Sequence, residues 1–200
     1  MYKSIIIFDW DDTLFPTTWL TNNGINLVDP IVQYKYLIFF SKLDLILFKL
    51  LSNATKISKV IIVTNAMEKW VKLSLTILPN TKLLVKNKIQ IISARDKYNK
   101  ILPMNSNIWK KLIFEKIISN EFNSYSYMQN IISVGDADYE FNALVNLYDD
   151  KCNTKRILKN IKFIQSPSFD MLIDELEILN KFMLKIIYIK RHLDLKFKKK

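Results

Sequence analysis

The sequence predicts an α/β fold in which a doubly wound, mainly parallel sheet lies between two layers of helices. Two observations predict it: short apolar runs rich in β-branched residues, and longer stretches of helical periodicity that alternate with them. The apolar runs are continuous, which is typical of strands covered on both faces. This order of elements favours a three-layer, Rossmann-like α/β/α sandwich.

Five runs are predicted to be strands and five stretches to be helices. We expect strands at residues 4–8, 60–64, 89–93, 131–134 and 161–165, and helices at residues 38–51, 66–78, 106–118, 139–147 and 170–188. A chain of 200 residues, half of them hydrophobic, can bury one substantial core but is short for two. We therefore expect a single domain over residues 1–195 and a solvated basic tail over residues 196–200.

The charge balance narrows the kinds of partner. With 30 Lys and Arg against 19 Asp and Glu, the net charge of +11 attracts nucleic acid, anionic membranes or phosphorylated substrates without choosing among them. The apolar stretch at residues 31–51 is interrupted by four charged residues, so it predicts an amphipathic helix and no membrane span. The first apolar run ends at Asp9, too early for a signal peptide, and predicts an intracellular, cytoplasmic protein that is not secreted.

Polar side chains follow three of the predicted strands, where ligands bind in open α/β sheets. A lysine, Lys110 or Lys111, lies in the helix after the third strand. Carboxylates that meet at one sheet edge repel one another unless a cation joins them, and Mg²⁺ is the usual hard partner of oxygen ligands. A carboxylate can also attack phosphorus covalently while a lysine and a hydroxyl hold the phosphoryl oxygens. The strand ends in question read Asp9-Trp10-Asp11-Asp12-Thr13, Thr64-Asn65 and Gly135-Asp136-Ala137-Asp138-Tyr139-Glu140.

Together these motifs, in this order over residues 4–140, resemble the four motifs of the haloacid dehalogenase-like (HAD) superfamily. The resemblance implies that Asp9 is a nucleophile that accepts a phosphoryl group, and that Asp11 protonates the leaving group and then activates water. It also implies that Asp9, the backbone carbonyl of Asp11 and Asp136 hold Mg²⁺. Glu140 is the second acid that supports the metal or the lysine.

The resemblance further assigns the phosphoryl-binding residues. Thr64 and the backbone amides around Asn65 are expected to bind phosphoryl oxygens, and a lysine is expected to stabilise the group. Lys110 is preferred to Lys111, because Trp109-Lys110 is similar to a Trp-Lys pair in uncharacterised plant and protist HAD-like proteins that share the Asp-Trp-Asp-Asp-Thr motif.

The spacing between the motifs bears on the substrate. Neither residues 14–59 nor residues 65–109 leave room for a full cap domain, so we expect an open site. The resemblance therefore implies a magnesium-dependent phosphatase that forms an aspartyl-phosphate, with a phosphoprotein or a nucleic-acid end as a possible macromolecular substrate. A phosphomutase has the same need for Asp11. Two further alternatives stay open, a noncatalytic HAD-fold interaction protein and a basic nucleic-acid-binding protein.

Overall fold

A computed structural model describes residues 2–103, 105–122, 128–148 and 156–199. Its centre is a sheet of six strands, all parallel, in the order β3-β2-β1-β4-β5-β6. The chain adds strands on one side of β1 and then on the other, so β1 and β4 are neighbours at the point where the direction reverses. The strands are β1 (Tyr2–Phe8), β2 (Lys59–Thr64), β3 (Gln90–Ser93), β4 (Met128–Gly135), β5 (Arg156–Lys162) and β6 (Leu193–Lys196).

Helices cover both faces of this sheet. Alternate residues of β1 face opposite ways: Ile6 and Phe8 pack in the core under α3, α5 and α9, whereas Ile5 and Ile7 pack in the core under α7 and α8. The predicted three-layer α/β fold is thus confirmed. The helices are α1 (Thr17–Asn22), α2 (Pro30–Lys35), α3 (Leu37–Thr55), α4 (Glu68–Ser74), α5 (Pro79–Lys88), α6 (Ala94–Tyr98), α7 (Ser106–Glu121), α8 (Asp138–Val145) and α9 (Phe169–Tyr188).

The two connections that could hold a cap domain contain helices only. Residues 9–58 carry α1, α2 and α3, and residues 65–89 carry α4, α5 and a 3-10 turn at Leu75–Ile77. Both connections lie wholly within the described residues, and neither contains a strand. The longer gap considered in the sequence analysis, residues 65–109, also contains β3, α6 and the start of α7, with residue 104 outside the described residues. Within the described residues, no helix has both the length and the apolar composition that crossing a bilayer requires.

The short helices α1, α2 and α6 were not predicted, and one predicted helix and one predicted strand have different limits. The single helix expected at 66–78 ends at Ser74, and a second helix begins at Pro79, whose fixed φ suits the first turn of a helix. The fifth strand, expected at 161–165, runs over Arg156–Lys162. Polar residues interrupt the apolar pattern of this strand, although they are buried with partners elsewhere in the fold. The Lys159 ammonium donates to the carbonyls of Ile186 and Ile187 at the end of α9, and Asn160 donates to Asp194.

The end of the chain also differs. β6 was not predicted, and it pairs with β5 from Leu193 to Lys196. The next residue, Phe197, donates its backbone N–H to Lys162 and packs its ring against Phe163. The basic tail that was expected from residue 196 therefore begins as part of the sheet: Lys196 is exposed but belongs to β6, and the exposed basic residues beyond the strand start at Lys198.

A buried acid on α3 holds the start of α5. The Asp44 carboxylate is 3% exposed, and it accepts the backbone N–H groups of Asn80 at 3.0 Å and Thr81 at 2.8 Å as well as the side-chain amide of Asn80 at 2.8 Å. The two backbone N–H groups lie in the first turn of α5, where backbone N–H groups have no acceptor within their own helix. Asp44 therefore joins two helices of the same layer.

Asp44→Ala should lower the free energy of unfolding by about 3 kcal/mol, because it leaves buried donors of α5 without an acceptor. Urea denaturation measures this loss. Asp174→Ala, at an exposed acid of α9, is the matched control and should change stability by less than about 0.5 kcal/mol. An equal effect of the two substitutions would show that Asp44 does not hold α5.

Candidate active site

The site lies at the carboxyl ends of β1, β2 and β4. Asp9 follows β1, and its backbone N–H donates to the Val134 carbonyl of β4 at 2.9 Å. Thr64 ends β2, and Asp136 follows β4. Because β1 lies between β2 and β4, the polar residues that end these three neighbouring strands come together at one edge of the sheet.

A buried lysine faces the nucleophile candidate. The Lys110 Nζ lies 2.7 Å from Asp9 Oδ1 and also forms an ion pair with Glu140. Lys110 is 1% exposed and Asp9 is 6% exposed. The adjacent Lys111 is only half-buried. Of the two lysines that the sequence offered, Lys110 is the one that α7 brings into the site.

Burial and the neighbouring charges shift the pKa values of these groups. Burial raises the pKa of Asp9 well above its ordinary value; Lys110 opposes this increase, and the charges of Glu140 and Asp11 add to it. Burial by itself lowers the pKa of Lys110, but the carboxylates of Asp9 and Glu140 outweigh that effect and raise it above its ordinary value. Burial, helped by the charges of Glu140 and Asp12, raises the pKa of Asp136 to about 7. One lysine thus does not fully offset this group of acids.

Three of the acids could share a cation. Oxygen atoms of Asp9, Asp136 and Glu140 all lie within 4.8 Å of one another. Asp9 and Asp136 were expected to be metal ligands; Glu140 was expected to support them, and its ion pair with Lys110 is consistent with that role. The Asp11 side chain is not in this group, so only its backbone carbonyl remains as the ligand that the resemblance implied.

The Asp11 carboxylate accepts hydrogen bonds from three side-chain donors. Its Oδ1 accepts from the hydroxyl of Thr17 at 2.6 Å and from the indole N–H of Trp70 at 2.8 Å, and its Oδ2 accepts from the hydroxyl of Thr64 at 3.1 Å. These contacts fix the direction of the carboxylate from two sides. They also tie the first turn of α1 and the helix α4 to the same side chain.

Thr64 and Asn65 are placed differently. Thr64 is fully buried, and besides donating to Asp11 its hydroxyl accepts the backbone N–H of Ala66 at 2.9 Å. Asn65 donates to the Ser106 carbonyl at 3.5 Å, and its Oδ1 has no hydrogen-bond partner among the described residues. Both residues lie at the edge where a phosphoryl group was expected, but the Thr64 hydroxyl is directed to Asp11 in this arrangement.

The turn after β1 depends on Asp12. Its φ of 53° is in the left-handed region, where aspartate is among the few residues tolerated. Its carboxylate accepts the backbone N–H of Thr18 at 2.8 Å and also the Thr18 hydroxyl. Asp12 therefore fastens the start of α1 to the loop that carries Asp9 and Asp11.

Gly135 leaves room for Glu140. A Cβ at position 135 would lie 2.3 Å from the Glu140 Cγ, so the two atoms would overlap. Glu140 cannot simply move aside, because its Oε2 accepts the backbone N–H of Ala137 at 3.2 Å and its Oε1 pairs with Lys110. Asp138, the other acid of this motif, is exposed at the rim and pairs with Lys162.

Two residues that the sequence analysis did not single out, Thr17 and Trp70, contact Asp11. Each lies on a short helix that follows a motif, six residues after Asp11 and six residues after Thr64 respectively. The only signal in the sequence was the tryptophan itself, since an indole N–H usually finds a partner when it is buried. Nothing in the sequence indicated that the partner would be Asp11.

Comparisons of the chain with family models, with curated proteins and with solved structures gave no match. The charges and contacts of the site itself are what indicate its chemistry.

Gly135→Ala should displace Glu140 from Lys110 and lower the free energy of unfolding by about 1–3 kcal/mol. Gly24→Ala is the matched control: Gly24 has a φ of 61° and open space around its Cα, so an added Cβ costs about 1 kcal/mol through backbone strain alone. Urea denaturation compares the two stabilities. If Gly135→Ala were neutral, Glu140 would not be fixed in the site.

Divalent cations should stabilise the protein more at pH 8 than at pH 5. Because the pKa of Asp136 is raised to about 7 in the folded protein, the proton on this carboxyl stabilises the cation-free protein relative to the unfolded chain. This contribution is fully present at a pH below the ordinary pKa of an aspartate, and it is lost as the pH rises through about 7. A cation must displace this proton, so its affinity should fall about tenfold per pH unit below 7. Thermal unfolding with and without Mg²⁺ measures the effect.

Asp136→Asn should remove most of the cation-dependent stabilisation, whereas Asp138→Asn, at the exposed acid two residues later, should preserve it. Equal cation-induced shifts at pH 5 and pH 8 in the native protein would contradict binding at this group of acids.

Proposed function

We propose that this chain is a magnesium-dependent phosphohydrolase of the HAD superfamily, in which Asp9 attacks a phosphomonoester. The observation that carries the proposal is the position of the Asp9 carboxylate. It lies at the carboxyl end of a central strand, 2.7 Å from a buried lysine and within 4.8 Å of oxygen atoms of Asp136 and Glu140. A buried carboxylate beside a buried lysine, in a group of acids that can hold a cation, suits transfer of an anionic group.

The donor set fits a hard divalent cation. All three grouped side chains are carboxylates, the ligands that Mg²⁺ prefers, and burial first, then the charges of neighbouring acids, raise the pKa of Asp9 and of Asp136. Asp9, Asp136 and the Asp11 backbone carbonyl would hold the ion, with Glu140 in support. When bound, Mg²⁺ would neutralise charge on the phosphoryl oxygens.

In the first step, a carboxylate oxygen of Asp9 forms a bond to phosphorus while the bond between phosphorus and the ester oxygen breaks. Asp11 gives its proton to the departing alkoxide, which leaves as an alcohol. The product is an aspartyl-phosphate on Asp9. The ammonium of Lys110, which is held in place by Asp9 and Glu140, offsets charge on the transferred group.

In the second step, Asp11 takes a proton from water, the resulting hydroxide attacks phosphorus, and the bond to Asp9 breaks. Inorganic phosphate leaves, and Asp9 is again a carboxylate. The hydrogen bonds of Asp11 suit this exchange: Thr17 and Trp70 hold Oδ1 in a fixed direction, and Thr64 contacts Oδ2. If Thr64 turns to bind a phosphoryl oxygen, Oδ2 becomes free to exchange the proton.

The substrate is inferred from what covers the site. The connection after β1 contributes only the short helices α1 and α2 before α3, and the connection after β2 contributes no inserted domain. An open site of this kind admits a bulky phosphoester, such as a phosphoprotein or a nucleic-acid end. The net charge of +11 favours the approach of either anion. Steep loss of binding with added salt would favour the nucleic-acid end.

Asp9→Asn should lower magnesium-dependent release of phosphate from an aryl phosphate by at least about a thousandfold, because an amide cannot form the covalent intermediate. Asp138→Asn is the matched control and should retain near-native turnover. Lys110→Met and Lys111→Met form a second pair, in which only the first should abolish activity. Folding of each variant is checked by thermal unfolding.

Absence of turnover in the native protein over a broad range of pH and of divalent cations would overturn the phosphatase proposal. A noncatalytic binding protein would then be the better interpretation. Magnesium-dependent turnover that survives Asp9→Asn would instead assign the chemistry to another residue.

A further inference from the structure

The helices α2 and α3 present large apolar side chains to solvent. Ile31, Tyr34 and Ile38 are 79%, 80% and 83% exposed, and Leu45 is 66% exposed. The opposite side of α3 is already used, since Leu43, Leu47 and Leu50 are buried in the core against the sheet. The exposed apolar residues therefore do not contribute to the core. A concentration of such residues marks an interaction surface.

Basic residues alternate with the apolar ones along α3. Ile38, Lys42, Leu45 and Lys49 are spaced by three or four residues, which places them in one line on the outer side of the helix. All four are exposed, and Lys35 is exposed at the end of α2. The docking surface, defined here as the exposed side chains of residues 31–49 on α2 and α3, is thus both apolar and basic.

The docking surface itself contains no exposed acid. Residues 29–49 contain two acids. Asp44 is buried under the start of α5, and Asp29 is half-buried at the start of α2, where its carboxylate accepts the backbone N–H of Ile31 at 2.8 Å. The docking surface therefore carries three exposed positive charges and no exposed negative charge. A partner that fits it must be apolar and anionic at once.

We propose that the docking surface binds the surface of an anionic lipid bilayer. The apolar side chains would enter the boundary between headgroups and acyl chains, while the lysines extend toward the phosphate and carboxylate groups of the lipids. The chain lies on the bilayer and does not cross it, which is consistent with the lysines of α3. A second copy of the chain fits less well, because a symmetric pairing would bring the lysines of the two copies together.

The inference does not depend on the proposed phosphatase activity. α2 and α3 follow the loop of Asp9 and Asp11 through α1, but none of the docking residues contributes a charge to the candidate site. Binding to a bilayer can accordingly be measured without turnover.

The test is co-sedimentation of the full chain with phosphatidylcholine vesicles, with and without phosphatidylserine, at low and high salt. We expect binding only when phosphatidylserine is present, and weaker binding at high salt. Lys35→Gln, Lys42→Gln and Lys49→Gln in combination should weaken binding about a hundredfold, roughly fivefold for each lysine. Ile31→Ser with Ile38→Ser should weaken it by about tenfold or more at unchanged net charge.

The controls separate this surface from the overall charge of the protein. Neutralising Lys97, Lys100 and Lys116, which are exposed on and beside α6 and α7 on the other side of the sheet, removes the same number of charges. Ile101→Ser alters an equally exposed apolar residue outside the docking surface. Both controls should retain most of the binding. Thermal unfolding verifies that each variant is folded.

Three outcomes would overturn the proposal. The first is no binding to phosphatidylserine vesicles, and the second is an equal loss of binding in the control variants. The third is self-association in solution that the Ile31 and Ile38 substitutions abolish while vesicle binding is unchanged, which would make this face a contact between copies of the chain.

Discussion

The buried ion pairs of Lys110 are the interaction on which the arrangement of the site depends. This one ammonium, almost without contact with water, joins Asp9 from the end of β1 to Glu140 from the start of α8. The contact forms because β1 and β4 are neighbouring strands and because α7 packs against the face of the sheet that these strands share. Removal of either charge would leave the other buried without a partner, which costs several kcal/mol. The fold and the site therefore constrain one another through a single side chain.

The strands that were predicted well are those in which a continuous apolar run is followed by polar residues at the end of the strand. The continuous apolar runs of β1, β2 and β4 indicated buried parallel strands, and the polar residues that end them indicated where a site would form. The shifted limits of β5 have a different origin, since its Lys159 and Asn160 are polar and yet buried, with partners in α9 and β6 that are far away in the sequence. Local patterns contain no information about such partners, and the same limit applies to Trp70 and its contact with Asp11.

Aspartates serve several purposes in this fold. Asp9 faces a lysine, Asp11 is held by hydroxyl and indole donors, Asp12 fastens the start of α1, and Asp44 holds the start of α5. What separates them is the environment: Asp9 lies beside a lysine and other carboxylates, whereas the other three accept hydrogen bonds from hydroxyl, indole or backbone groups. The sequence shows three of these residues within four positions, but the backbone directs them to different partners.

The pairing of β1 with β4 also has a consequence for folding. Ile5 of β1 lies beside Ile131 of β4, so the middle of the sheet closes only when residues more than half the chain length apart come together. Contacts at such a separation carry a large loop-closure entropy and slow the folding of parallel sheets. Before they form, β1 exposes the edge that later pairs with β4, and an unpaired strand edge promotes aggregation of partly folded chains. Partly folded chains that lack this pairing are thus the species in which assistance by a chaperone would matter most.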